Sequence, residues 1–373
     1  MKHIIEKIQQ AYAHVPLGST VAIGMSGGVD SSVTAYLMQQ AGYKVFGIFM
    51  QNWSPDEPDP HCTAEQDLSD AQSICNQLNM PLHPVNFSQD YWNLVFEKCL
   101  EVFKAGDTPN PDVLCNRHIK FNKMLDYAKS LGADYLATGH YAQNILNHDL
   151  FYLAKGLDHQ KDQSYFLYML NQHQLSHAIF PLGGLEKTEV RTIAEEQNFI
   201  TADKKDSTGI CFIGERQFKP FLQEFMLKKP GNMVTPEGEI VGKHDGLMFY
   251  TLGQRQGLNI GGRKDSSGKP WYVAAKDFEN NQLIVVQGSD HPALFSNQLT
   301  AMQPHWISGA LEINQDIGAK TRYRQKDQSA KLVELSHEQF SLEFAVPQFA
   351  VTPGQSVVCY AGDICLGGGI IKR

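Results

Sequence analysis

From Thr20 to about Phe87 the sequence alternates between two periods: an apolar run (VAIGM), a helical pattern (SSVTAYLMQQAGY), a second run (KVFGIFMQNW), a helical stretch over 67–79, and a third run (LHPVNF). Strands separated by helices of this length pair in parallel, because each helix carries the chain back to the same end of the sheet. The crossovers are then right-handed βαβ units. A helix is predicted over about 91–104, followed by the polar turn GDTPNPDV, a helix over 120–131 and the strand ADYLATGH, so the sheet extends to about Thr138. The N-terminal region reads as an α/β domain on a parallel sheet.

With 373 residues the chain exceeds what one core usually holds, and two or three domains are expected. Beyond Cys211 the texture changes. A Phe-rich helix (QFKPFLQEFMLKK) is followed by short strands and glycine turns such as TPEGEIVGKHDG, and helical periodicity fades. From about Asn297 a second set of short strands, including KTRYRQ and QSVVCY, ends in LGGGII. The expected domains are 1–216 (α/β), 217–290 (small and β-rich) and 291–373 (a β-barrel or sandwich).

Composition narrows the setting. Hydrophobic residues make up 42% and charged residues 19%, as in soluble globular chains, and no apolar run is long enough for a bilayer. The segment MKHIIEKIQQAYAHV lacks the apolar core and small-residue cleavage site of a secretory signal, so a cytoplasmic protein is expected. The seven cysteines (62, 75, 99, 115, 211, 359 and 365) form no CxxC pair, which argues against a disulfide framework or a zinc ribbon. Net charge is −8, yet residues 1–216 hold 25 acidic against 16 basic side chains while the remainder is balanced. A nucleic-acid partner would therefore be held by local patches and not by a global field.

The strongest chemical signal is Gly24-Met25-Ser26-Gly27-Gly28-Val29-Asp30-Ser31-Ser32, set between a strand and a helix whose buried stripe would include Val33, Tyr36 and Leu37. Glycines let backbone N–H groups converge on one point, and the helix N-terminus adds partial positive charge, so the turn can cradle phosphate. An acid there, Asp30, makes sense as a holder of Mg²⁺ between phosphates. A capped strand-to-helix turn is the bland alternative. The SGGVDSS string resembles the loop of the ATP pyrophosphatases, or PP-loop enzymes, which implies ATP as substrate and attack at its α-phosphate. Met50 and Gly139, at the ends of two predicted strands, fit the same nucleotide pocket.

Cys115 lies in TPNPDVLCNRHIKF, whose Pro and Asn content reads as a loop, with Arg117, His118 and Lys120 ahead of a helix. Such surroundings should lower a thiol's pKa. Asp112, three residues earlier, is a candidate proton carrier. Cys211, in DSTGICFIG, again lies on a glycine turn; Cys75, Cys99, Cys359, Cys365 and Cys62 read as small packed hydrophobes.

Taken together, GMSGGVDSS, NPDVLCNRHIKF, LATGHYA, KDQSYFL, DSTGICFIG and YTLGQRQGL resemble, in this order and over nearly the whole chain, the tRNA-specific 2-thiouridylase family. The resemblance implies that Cys211 accepts a persulfide sulfur from a donor protein, either a relay protein or a cysteine desulfurase. It implies that Cys115 is the nucleophile that releases this sulfur through a transient disulfide with Cys211, and that Asp112 assists proton transfer. Asn110, Pro111 and Asp112 would meet the target base. Lys161, Asp162, Gln163, His140, Arg322, Tyr323 and, more weakly, Gln355 would touch tRNA, whose wobble uridine in the Lys, Glu and Gln acceptors is the implied target. In a β context Arg322-Tyr323-Arg324 suits phosphate contact and base stacking, although a solvated strand face has the same appearance. A ligase or amidating synthetase of the argininosuccinate or GMP type shares the SGGVDSS loop but needs no cysteine pair. A regulatory nucleotide-binding module would leave Asp112, Cys115 and Cys211 idle.

Overall fold

The computed structural model of the protein describes residues 1–53, 64–206, 218–261, 268–309 and 311–373. A first helix, α1 (Lys2–Ala11), precedes β1 (Thr20–Met25), α2 (Val29–Gln40), β2 (Lys44–Gln51), α3 (Ala64–Gln77) and β3 (Leu82–Asn86). The next helical run is α4 (Ser88–Tyr91), a widened stretch Trp92–Phe96 and α5 (Glu97–Lys104). After α6 (Pro111–Cys115) a second widened stretch, Asn116–Met124, continues into α7 (Leu125–Ser130) and β4 (Tyr135–Ala137).

Strands β1 to β4 are joined by β7 (Ala178–Ile179) in a parallel sheet of order β3-β2-β1-β4-β7, with Thr20 opposite Lys44 and Val21 opposite Tyr135. Helices cover both faces. Val21 and Ile23 point into one core with Val33, Leu37 and Ile74, and Ala22 points into the other with Ile48, Phe121 and Leu136. Burial on both faces explains why β1 reads as a continuous apolar run. Val33 and Leu37 are fully buried and Tyr36 half-buried, as the helical stripe predicts.

The chain between β4 and β7 departs from expectation. Strands β5 (Ala142–Asn147) and β6 (Leu150–Lys155) form a hairpin that leaves the parallel sheet and pairs with the C-terminal domain, Ala154 opposite Ile364. Short helices α8 (Ser164–Leu167) and α9 (Gln172–Leu175) return the chain to β7, and α10 (Lys187–Glu196) follows.

Helix α11 (Phe218–Phe225) opens the central domain and packs Phe221 and Phe225 against Trp53, Trp92 and Phe96, with ring centroids 4.9–6.0 Å apart. That burial fixes the domain on the α/β unit. Its sheet has the order β10 (Trp271–Asp277), β11 (Gln282–Gln287), β8 (Gly231–Val234), β9 (Ile240–His244). The C-terminal domain comprises β12 (Phe295–Trp306), β13 (Asp316–Lys320), β14 (Gln328–Leu335), β15 (Gln339–Phe349), β16 (Ser356–Ala361) and β17 (Ile364–Ile371). Because β12 pairs with both β15 and β17, the antiparallel sheet closes into a barrel. KTRYRQ is not a strand: β13 ends at Lys320, and residues 321–324 turn, with Arg324 at φ +63°.

Candidate active site

The glycine-serine loop lies where β1 meets α2, at the C-terminal edge of the parallel sheet, where folds of this type bind ligands. Gly28 caps α2 in an extended conformation, and Gly27 adopts φ +71° with no room for a Cβ against the backbone of Asp67. Ser31 Oγ accepts from the Ser26 N–H (3.2 Å) and donates to Gly28 O (3.0 Å); Ser32 Oγ donates to the same carbonyl (2.9 Å). These bonds hold the loop in shape and turn the first amides of a 12-residue helix toward its mouth. Gly139 closes the back wall, since a Cβ there would meet Asp30 at 3.0 Å, and Met50 is half-buried near the end of β2.

Asp30 is the hub of an ionic network. Its Oδ1 accepts from the Tyr141 hydroxyl (2.8 Å) and from Lys187 Nζ (2.7 Å). Lys187, with a side chain 10% exposed, also reaches Asp206 Oδ1 at 2.8 Å, and Asp206 takes further contacts from Lys161 (2.6 Å) and Arg191 (3.1 Å). Partial burial opposes ionisation of Asp206, but the hydrogen bonds from Lys161 and Lys187 outweigh it and hold the carboxyl at about 2. Lys204 ties the loop to α3, donating to Gly27 O (2.9 Å), Asp67 (2.7 Å) and Asp70 (2.6 Å).

On the opposite side stands the helix that carries Cys115. Asn110 caps it, its side chain accepting from the Val113 N–H, and Pro111 occupies the first turn, where a missing N–H costs nothing. Cys115 therefore lies in the second helical turn and is 5% exposed within the main core, not in a loop. Pro and Asn mark the cap and not a coil. Neither basic neighbour expected to act on the thiol is spare for it alone: Arg117 contacts Met169 Sδ (3.7 Å) and Lys120 contacts His140 Nε2 (3.4 Å). Burial raises the Asp112 carboxyl above its ordinary value, with Lys120 opposing, and the neighbouring Cys99 thiol is pushed up to about 12, mainly by burial.

The approach to this helix is clasped by the other two domains. Lys276 donates to Gly106 O (2.7 Å), Thr108 Oγ1 meets Thr251 Oγ1 (3.1 Å), and the Thr108 N–H donates to Pro353 O (2.9 Å). Gln355 Nε2 donates to Thr108 O (3.0 Å) and Pro109 O (2.8 Å).

Several residues expected on an RNA surface have other partners. Asp162 is 4% exposed; it accepts from the Gly156 and Ser164 N–H groups and pairs with Lys320 of β13 (3.1 Å), which makes it a buried tie to the barrel. His140 is buried between Phe121 and Phe180. Gln163 accepts from the Tyr141 N–H (3.0 Å), and Lys161 belongs to the Asp206 network, on the side of the glycine-serine loop. Arg322 donates to Ala350 O (2.7 Å), while Tyr323 lies over Phe166 at 4.4 Å and close enough to Asp112 to feel its charge. Tyr323 and the cap residue Asn110 border the cysteine helix. Cys211 and Cys62 lie outside the described residues. Cys75, Cys99, Cys359 and Cys365 are fully buried, as expected of packed thiols.

Sequence reasoning missed Tyr141, Lys187, Lys204 and Asp206. A buried lysine 157 residues from its partner leaves no local signature; Tyr141, in LATGHYA, and Asp206, the first residue of DSTGICFIG, sat inside noted motifs without being singled out.

The architecture is that of a three-domain tRNA-modification protein. Residues 19–215 match the family description "tRNA methyl transferase HUP domain", 219–287 "tRNA methyl transferase PRC-barrel domain" and 296–371 "Aminomethyltransferase beta-barrel domain". The chain is 56% identical to the tRNA-specific 2-thiouridylase MnmA of Coxiella burnetii (strain RSA 493) over 94% of its length and 98% of that protein's. It is 54% identical to the tRNA-specific 2-thiouridylase MnmA of Vibrio cholerae (strain N16961) over 95% of its length and 96% of that protein's. The chain belongs to the tRNA-specific 2-thiouridylase family. Among solved structures, the U34-tRNA thiolase NcsA from Methanococcus maripaludis aligns with 56% of this chain and 68% of its own, at 18% identity and a TM-score of 0.38.

Proposed function

We propose that the chain is an ATP-dependent tRNA-uridine 2-sulfurtransferase acting in the cytoplasm on the wobble uridine of the Lys, Glu and Gln acceptors. One observation carries the reading. The three residues after β4 touch both halves of the site: Gly139 abuts Asp30 of the glycine-serine loop, and His140, bonded to Thr138, reaches Lys120 on the cysteine helix. A phosphate site and a thiol site thus share one wall. Holding both reactants there replaces an encounter in solution with an effective molarity of roughly 10⁵–10⁸ M.

The uridine O2 attacks the α-phosphorus of ATP, forming an O–P bond while the bond to the bridging oxygen breaks and pyrophosphate leaves. The N3 proton passes to Asp112, whose burial raises its pKa above the ordinary carboxylate value and so makes it a better proton acceptor. The loop amides and Ser26 and Ser31 hold phosphate oxygens. Asp30 suits Mg²⁺, since both of its described contacts use Oδ1 and leave Oδ2 for a cation that takes one carboxylate plus phosphates; bound there, Mg²⁺ would neutralise phosphate charge. Sulfur arrives on Cys211 as a persulfide from a donor protein. The Cys115 thiolate attacks the Cys211 Sγ, forming a disulfide and releasing hydrosulfide. Hydrosulfide adds to C2, AMP leaves with the C–O electrons, and the S–H proton moves to N3. A dithiol reductant then restores both cysteines. Asn110, Arg322 and Tyr323 flank this pocket and would receive the base and its phosphate.

The test combines the protein with ATP, Mg²⁺, sulfide and unmodified tRNA, and follows AMP formation together with retardation of the tRNA on a mercury gel. AMP formed with a retarded tRNA is the expected result. AMP formed only with small amine acceptors would transfer the chain to the ligase class. With a cysteine desulfurase and cysteine as sulfur source, Cys115→Ser should stop thiolation while ATP still raises the melting temperature.

A further inference from the structure

The helix that carries Cys115 does not continue as an α-helix. The stretch Asn116–Met124 is widened toward i to i+5 winding and kinks at Phe121 (φ −95°, ψ 19°), just after Lys120, and such widened turns recur at functional sites. The winding decides where Lys120 points. In an α-helix two residues five apart diverge by about 140° around the axis, whereas the wider turn brings them toward one face. Lys120 therefore shares a side with Cys115 and, one α-turn earlier, with Asp112.

What holds Lys120 there is unusual. Among the described residues it has no carboxylate within ion-pair distance, and its Nζ donates to His140 Nε2 at 3.4 Å. That ring is buried between Phe121 and Phe180, and Thr138 Oγ1 lies 2.7 Å from its Nδ1. Burial and the Lys120 charge both hold His140 neutral. A neutral ring that accepts at Nε2 carries its proton on Nδ1 and donates it to Thr138, so one tautomer is selected. A threonine, a histidine and a lysine in series then aim one ammonium at the Asp112 and Cys115 face.

We propose that Lys120, held by neutral His140, is a positioning residue of the sulfur-transfer site, supplying the positive charge that lets buried Asp112 ionise and take up a proton. The inference rests on the thiolation reading above. Asp112 is faced by Cys99 from α5, Tyr323 from the turn after β13, and Lys120 from its own helical run. Lys120 is the cation among them. Without it, the buried carboxylate loses its opposing charge, its pKa rises, and the ionised form appears only at higher pH.

Thiolation is measured against pH with a cysteine desulfurase and cysteine as sulfur source, ATP, Mg²⁺ and unmodified tRNA. Lys120→Met should lower the rate at least tenfold at pH 7 and move the acid limb up by roughly one pH unit. Lys120→Arg should restore most of the rate and the original limb. His140→Gln, which loses the aromatic seat of the acceptor, should give a smaller shift in the same direction. An unchanged acid limb in Lys120→Met overturns the proposal, as does Lys120→Arg matching Lys120→Met in rate with no shift. A wild-type protein that thiolates nothing would defeat the thiolation reading instead, and an ATP-induced rise in melting temperature reports whether each variant is folded.

Discussion

The two halves of the site are built in opposite ways. Around the glycine-serine loop nearly every charge is matched by a neighbour: Asp30 by Lys187 and Tyr141, Asp206 by three cations, Gly27 O by Lys204. All these groups come from residues 1–206, within the α/β unit. The Cys115 half is buried in apolar core, burial raises the pKa of its acid, Asp112, and the loop that leads into it is gripped by the central domain and the barrel. A loop that stabilises phosphate needs preorganised dipoles, which a strand, a turn and a helix supply locally. A thiol that handles a labile sulfur needs exclusion of water, and burial from three sides supplies that.

The largest effect should come from breaking the phosphate half at its tightest point. Gly27→Ala places a Cβ against the Asp67 backbone at a positive φ, so the loop must shift. ATP-dependent AMP formation should fall at least a hundredfold, with fold retained by circular dichroism; an active Gly27→Ala would show that the loop's shape is not what matters. Next is the tie between halves and barrel. Lys320→Met leaves Asp162 buried and unpaired, which should cost about 3–5 kcal/mol, read by urea unfolding. Asp162→Asn in the same chain should recover part of that loss. No recovery would mean that the Gly156 and Ser164 amides, and not Lys320, are what Asp162 serves.

That contrast also explains how much was legible beforehand. The parallel sheet and the loop could be read because strand, helix and glycine signals lie within a few residues of each other, from Thr20 to Gln40. The helix around Cys115 was misread because Asn110 and Pro111, good capping residues, look like coil when the helix they start cannot be seen. The hairpin Ala142–Lys155 was missed because its partner strand begins at Ile364, more than 200 residues away. The RNA-contact positions came only from family resemblance, and they differ in setting: Tyr323 stacks on Phe166 and Arg322 bonds Ala350 O, while Asp162 and His140 are buried.

Smaller effects sharpen the comparison. Asp206 has a folded pKa near 2 against an ordinary 3.8, so its contribution to stability is complete above the ordinary value and lost as pH falls from 3.8 toward 2. With the carboxyl partly exposed, that contribution is on the order of 1 kcal/mol. Asp206→Asn should therefore be less stable than wild type in urea at pH 5, with the deficit cut to roughly a third at pH 2.5; an equal deficit at both would remove charge from the explanation.

The smallest effect is expected at Gln355, where two readings separate. If it clasps the loop through Thr108 O and Pro109 O, Gln355→Ala should cost about 1 kcal/mol and slow thiolation a few-fold while leaving ATP binding intact. A contact with RNA would instead raise the KM for tRNA with no change in unfolding. The geometry favours the clasp, because the side-chain amide already spends both described bonds on the backbone that leads to Asn110. The cysteine half then depends on a barrel residue 240 positions downstream of Cys115, and weakening that clasp should disturb sulfur transfer before it disturbs adenylation.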